Sequence, residues 1–218
     1  MKNIFKIILS LTLIITLSSF MMLTQKSKYK VVCFGDSITY GAGVEGNGWV
    51  EQIASKSDNL LMINEGRKGR KTSDKNELLP ILEKYPDADL FLILLGVNDL
   101  KDGNDSLVNA CVSNIKWMIG EIKNKIPEAK ILLMSPCNIN LETMSDINKN
   151  KKYNENTYNS LIKLEKEYGK LAEKENIYFL SLFSTVSPQN FWDGLHPDLK
   201  GHKEIAERVL QKINSILN

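Results

Sequence analysis

The hexapeptide Leu90-Phe91-Leu92-Ile93-Leu94-Leu95 is apolar at every position. A strand sends alternate side chains to opposite faces, so a strand of this composition has no face to offer water. It belongs in the middle of a sheet covered on both sides, and a parallel sheet with helices on each face meets that demand. The segment Asp89 to Leu95 therefore sets the architecture. The rest of the chain agrees with it. Shorter β-rich runs at Lys30 to Phe34, Leu60 to Asn64, Lys130 to Met134 and Ile177 to Leu182 alternate with segments of helical periodicity. Helices are expected over Trp49 to Ser57, from a cap at Ser73 or Asp74 to about Tyr85 with Pro80 interrupting, and over Asp105 to Ile126. Two more are expected over Tyr153 to Lys174 and from Asp198 or Leu199 to Leu217. Strand and helix alternating five times predict a three-layer α/β/α sandwich around a five-stranded parallel sheet.

The chain of 218 residues is long enough for one domain with a sizeable core. Its formal charge of +2 and the dispersal of its lysines give no surface for nucleic acid. The N-terminus stands apart. Lys2 and Lys6 precede an uncharged stretch from Ile7 to Gln25 rich in Ile and Leu, which reads as a signal peptide or an uncleaved membrane anchor. The division expected is a leader over residues 1–27 and one domain over 28–218, secreted or anchored on the outer face of the cytoplasmic membrane. Cys33, Cys111 and Cys137 are odd in number and lack metal-ligand spacing, so they read as buried small apolar residues.

Polar residues that could do chemistry fall just after predicted strand ends. Gly35-Asp36-Ser37 follows the first strand, Asn64-Glu65-Gly66-Arg67-Lys68-Gly69 the second, and Gly96-Val97-Asn98-Asp99 the third. Asp193-Gly194-Leu195-His196-Pro197 lies in the loop before the last helix. In an open α/β sheet these loops gather at the carboxyl edge, where such sheets place their ligands. Gly-Asp-Ser alone is an ordinary strand-ending turn. The four motifs in this order resemble the SGNH hydrolases, also called GDSL esterases, from about Lys30 to the C-terminus, with the run from Gly96 to Leu100 most similar to the arylesterase and lysophospholipase-like branch.

That resemblance implies a flavodoxin-like sandwich and a serine esterase needing no metal or cofactor. Ser37 would be the nucleophile, His196 its general base, and Asp193 the group orienting the imidazole. The oxyanion hole would comprise the backbone N–H of Ser37, the N–H of Gly69 and the amide of Asn98. Gly66 rivals Gly69; Gly69 is preferred because it stands five residues after Asn64. The substrate would be a small acyl or aryl ester, an O-acetylated glycan or a lysophospholipid, and the alternative is a catalytically silent glycan-binding module. The residue types agree on chemical grounds. A serine hydroxyl needs a base within hydrogen-bond reach, an imidazole can take and return a proton near neutrality, and a carboxylate on its far nitrogen fixes the tautomer.

Other conspicuous residues have plainer readings. His202 is expected on the solvated start of the last helix. Trp49, Phe191 and Trp192 are expected to pack, and Asp36 and Asp99 to be structural. The polar stretch Asn138 to Lys152 reads as a loop or short lid. The glycines after Tyr40 lack the lysine of a phosphate loop, and no Gly-x-Gly-x-x-Gly opens a helix, which leaves a nucleotide-binding reading without a motif.

Overall fold

The computed structural model describes residues 28–217, and the leader expected over residues 1–27 lies outside them. The strands are β1 (Tyr29–Gly35), β2 (Leu60–Gly66), β3 (Leu90–Leu94), β4 (Lys130–Met134) and β5 (Tyr178–Leu180). All pair in parallel, in the order β2-β1-β3-β4-β5. The helices are α1 (Ser37–Tyr40), α2 (Trp49–Ala54), α3 (Leu78–Lys84), α4 (Asp105–Lys125), α5 (Asp146–Asn150), α6 (Glu155–Glu175) and α7 (Leu199–Leu217). The five-stranded sandwich is as the alternation predicts. Among the described residues no helix is long and apolar enough to cross a membrane.

Both faces of the central strand are used. Phe91 and Ile93 join Val32 and Phe34 in a core closed by α3, α4 and α6, while Leu90, Leu92 and Leu94 join Val31 and Cys33 under α2 and α7. Each side chain of this kind, fully removed from water, is worth roughly 1.5–3 kcal/mol, so a central strand buried on both faces gains twice per pair of residues. The three cysteines are buried and free.

Several boundaries move, each for a local reason. The helix expected to run through Pro80 is instead a 3-10 turn over Thr72–Glu77 followed by α3. Pro80 then falls in the first turn of α3, where its missing N–H is not needed. The helix expected from Tyr153 begins at Glu155, because the Asn154 side chain accepts the Thr157 N–H and caps it there. Tyr153 is left outside the helix. β2 continues to Gly66, and β5 is cut to three residues on the sheet edge. The stretch from Asn138 to Lys152 contains α5 and is not a free lid. It grips the loop before α7: Asn140 N–H donates to Gly194 O at 2.8 Å and Ser145 N–H to Asp193 O at 3.0 Å. The Asn148 amide adds a third bond, to Asp193 O at 3.2 Å.

β1 and β3 are neighbours, yet the chain leaves β1 toward β2 and leaves β3 toward β4. The loops after these two strands part, and the crevice between them is the switch point at which doubly wound sheets hold ligands.

Candidate active site

Ser37 stands at that crevice. Gly35 ends β1 where there is no room for a side chain: a Cβ there would lie 2.1 Å from Thr39 Oγ1 and 2.9 Å from Leu94 O. The close approach lets α1 start at once, with Ser37 as its first residue. Asp36 caps that turn by accepting the Ile38 N–H at 2.9 Å. Burial pushes its carboxyl up to about 7, a rise that the Ile38 hydrogen bond and the His196 charge only partly offset. The structural role expected of Asp36 holds.

The loop before α7 reaches the same spot from the other end of the chain. His196 Nε2 lies 3.1 Å from Ser37 Oγ, and His196 Nδ1 lies 2.9 Å from Asp193 Oδ2. Asp193 Oδ1 also accepts the N–H groups of Leu195 and His196, at 3.0 and 2.7 Å. Burial would raise this carboxyl, but the hydrogen bonds from the His196 ring and backbone, with its charge and the Leu195 N–H, outweigh burial and hold it at about 2. It is therefore an anion at neutral pH, facing the ring nitrogen that must keep its proton if Nε2 is to accept one from Ser37.

Gly69 and Asn98, expected as further donors, line the same cleft as Ser37 and His196. Gly69 lines the cleft beside Ser37, with open space before it and a φ of +78°. Among the described residues its N–H has no hydrogen-bond acceptor, whereas the Gly66 N–H is taken by Asn64 Oδ1 at 2.9 Å. Gly69 is the free donor of the two. Asn98 is buried, and its amide is fixed at both ends. Tyr153 donates to Oδ1 at 2.8 Å, and one Nδ2 hydrogen goes to Arg70 O at 3.2 Å. The second Nδ2 hydrogen is left for a ligand. The Ser37 N–H, at the start of α1, has no acceptor within its helix.

Two residues that hold this side together have no sequence motif. Tyr153 sets the Asn98 amide, and its position depends on where α6 begins. Arg70 is buried, lies 4.1 Å over the Phe34 ring, and donates to Gly35 O at 2.7 Å and Glu65 O at 2.5 Å. It ties the carboxyl ends of β1 and β2 together, and Glu77 binds its Nε at 2.9 Å. Asp99 accepts the Thr72 N–H at 3.0 Å and its hydroxyl at 2.6 Å, the structural role expected of it. Arg67, one of the basic pair beside Gly69, turns away to Asp74 and Glu77.

Two expectations fail. His202 is fully buried, not solvated; its Nδ1 accepts the Trp49 N–H at 3.2 Å. Burial, with the nearby His196 charge, drops its pKa to about 4 against a weaker pull from Asp198. Trp192 does not pack inside: it is 57% exposed and stacks on the His196 ring at 5.8 Å and 20°. Trp49 and Phe191 are buried as expected.

These groups surround a cleft of about 420 Å³. A serine, a histidine and a carboxylate in hydrogen-bonded series, beside Gly69 and Asn98 on one cleft, make an arrangement that can carry acyl transfer from an ester. The comparisons agree. The profile of the GDSL-like lipase/acylhydrolase family matches residues 31–209. A carbohydrate acetylesterase from Sinorhizobium meliloti superposes with a TM-score of 0.75 at 20% identity, over 87% of this chain and 100% of its own. The aryl esterase of M. smegmatis does so at 0.72 and 21%, over 87% and 100%. A catalytic mutant of an acetylxylan esterase from Geobacillus stearothermophilus gives 0.65 and 18%, over 86% and 94%. No curated protein sequence matches the chain. At these identities the solved structures speak for the fold, and the family match speaks for the chemistry: the chain belongs to the GDSL-like lipase/acylhydrolase family and is a carboxylic ester hydrolase of that type.

Proposed function

We propose that the protein is a serine esterase that removes short acyl groups, acetyl above all, from sugar or aryl alcohols through an acyl-enzyme. The observation that carries this reading is the continuous chain Asp193–His196–Ser37, at 2.9 and 3.1 Å, opening on the cleft that Gly69 and Asn98 also line. Ser37 Oγ attacks the ester carbonyl while His196 Nε2 takes its proton. The carbonyl oxygen becomes an oxyanion held by the N–H groups of Ser37 and Gly69 and by Asn98 Nδ2. The imidazolium gives its proton to the departing alkoxide, which leaves as the alcohol. Water then attacks the acyl-enzyme, His196 takes a proton from it, and collapse returns that proton to Ser37 Oγ as the acid departs.

The cleft of about 420 Å³, with Lys68, Lys101, Lys151, Glu45 and Asn98 among its lining residues, favours a small acyl group over a fatty chain. Carbohydrate acetylesterase and aryl esterase activities among proteins of the same fold support the same substrate range. Lys2 and Lys6 ahead of an uncharged apolar stretch support a site of action outside the cytoplasmic membrane, with the domain secreted or tethered. In a test with 4-nitrophenyl acetate, Ser37→Ala should cut kcat by about 10⁴-fold or more with an unchanged Tm. A fluorophosphonate should label wild type at Ser37 and leave that variant unlabelled. Undiminished turnover by Ser37→Ala would sink the assignment. The glycan-binding alternative requires a wild-type protein that neither turns over nor labels.

A further inference from the structure

The cleft carries a charge pattern that ester hydrolysis does not require. Among the residues lining it are Lys68, Lys101 and Lys151, against one acid, Glu45. The first 27 residues hold three lysines and no acid, so the remaining chain has a formal charge of −1. The domain is thus slightly acidic as a whole while its cleft is basic. Other cations beside the site are neutralised locally, Arg67 by Asp74 and Glu77 and Arg70 by Glu77. Among the described residues the three cleft lysines form no ion pair. Lys68 and Lys101 rest over the rings of Tyr40 and Tyr153, at 4.9 and 5.3 Å.

Placement makes the pattern specific. Lys68 precedes Gly69, Lys101 follows Asn98 by three residues, and Lys151 precedes Tyr153 by two. The lysines stand on the three segments that supply or set the oxyanion donors. Trp192, the exposed indole, stands with His196, which protonates the leaving alcohol. Lys101 is held below the usual lysine range by partial burial and by the charges of Lys71 and Lys151, with Asp99 opposing. Unpaired ammonium groups crowded together at a cleft are destabilising when empty and are relieved by an anion. A flat exposed indole beside the base is suited to the face of a sugar ring.

We infer that the substrate is an ester of an acidic sugar: the alcohol carries a carboxylate that docks on Lys68, Lys101 and Lys151, its ring lies against Trp192, and its acyl group enters the oxyanion hole. This rests on the esterase reading above and narrows it. A carboxylated sugar uses both features at once. A phospholipid headgroup would use the cations and waste the indole, and the charged lining would seat its acyl chain poorly.

The experiment compares acetate release from a mono-O-acetylated methyl glucuronoside and from its uncharged glucuronamide counterpart. Wild type should prefer the carboxylate by about tenfold in kcat/KM at low ionic strength, and the preference should shrink as salt screens the lysines. Lys68→Gln, Lys101→Gln and Lys151→Gln should each lower that ratio about two- to threefold, and the triple variant should bring it near unity. The ratio is read within one protein, so any loss of active fraction cancels. A wild-type ratio at or below unity overturns the inference while leaving the esterase reading standing. So does a ratio that survives the triple substitution. Faster turnover of a lysophosphatidyl ester, or of a neutral sugar bearing a charged succinyl group, also overturns it by moving the anion elsewhere. Failure of wild type on 4-nitrophenyl acetate as well as on both sugars removes the esterase reading itself, and this inference with it.

Discussion

The loop of residues 193–197 and the first turn of α7 each carry one of the chain's two histidines, six positions apart, and they use the same side chain in opposite ways. His196 is half-buried, with both ring nitrogens bonded to groups that can exchange or hold a proton. His202 is sealed inside, where it serves as an acceptor for one backbone N–H and stays neutral. A carboxylate on the far nitrogen turns an imidazole into a base; burial without one turns it into a packing element with a hydrogen bond. Chemical identity alone therefore says little about a histidine, and its second partner says much.

The strongest way to break this contrast is His196→Ala. It should lower kcat by about 10⁴-fold or more on 4-nitrophenyl acetate, with a thermal melt close to wild type. Asp193→Asn keeps the shape of the loop but removes the charge that stabilises the imidazolium, and about 10³–10⁴-fold of kcat should go with it. Activity near wild type in Asp193→Asn would show that the carboxylate is not what separates the two histidines. His202→Ala should behave in reverse. Loss of the acceptor for the buried Trp49 N–H, plus the cavity, should cost about 2–4 kcal/mol in urea unfolding, while kcat/KM of the folded fraction is kept.

The smallest effect is the dependence of stability on pH. His202 has its folded pKa lowered to about 4, so below its unfolded value the unfolded chain takes up a proton that the folded one refuses. Its contribution is complete above about pH 6.5 and is lost as pH falls toward 4. Asp36 has its folded pKa raised to about 7, so the folded chain holds the extra proton and stability is lost as pH rises from about 4 to 7. The two slopes oppose, each at most about 1.4 kcal/mol per pH unit. Single variants should separate them. His202→Gln should become more stable relative to wild type as pH falls from about 6.5 toward 4, and Asp36→Asn should become less stable relative to wild type as pH falls from about 7 toward 4. Asn at 36 can still accept the Ile38 N–H. Parallel pH profiles for both variants and wild type would contradict the burial of either group.

The layers of the molecule were legible because apolar patterning is local. The run from Leu90 to Leu95 announces a strand covered on both faces, and the spacing of Val108, Cys111, Ile115 and Ile122 announces the helix that covers one of them. The four motifs after the strand ends were legible because a parallel sheet brings all such loops to one edge. Boundaries were less so, since they turn on single caps: Asn154 starts α6 two residues late and in doing so frees Tyr153 for the site. The clasp of residues 138–152 on the Asp193 loop was also hidden, because backbone carbonyls accepting from a distant segment leave no mark on side-chain pattern.

By itself the sequence determined the sheet and its two covering layers, and the candidate nucleophile, base, carboxylate and amide that its loops would carry to one edge. Only the tertiary structure decided that His202 is interior, that Trp192 is exposed, that Gly69 rather than Gly66 keeps a free N–H, and that three unpaired lysines meet at the cleft. Periodicity reports which face of an element avoids water. Which polar group meets which depends on how segments from distant parts of the chain pack, and no local pattern encodes that.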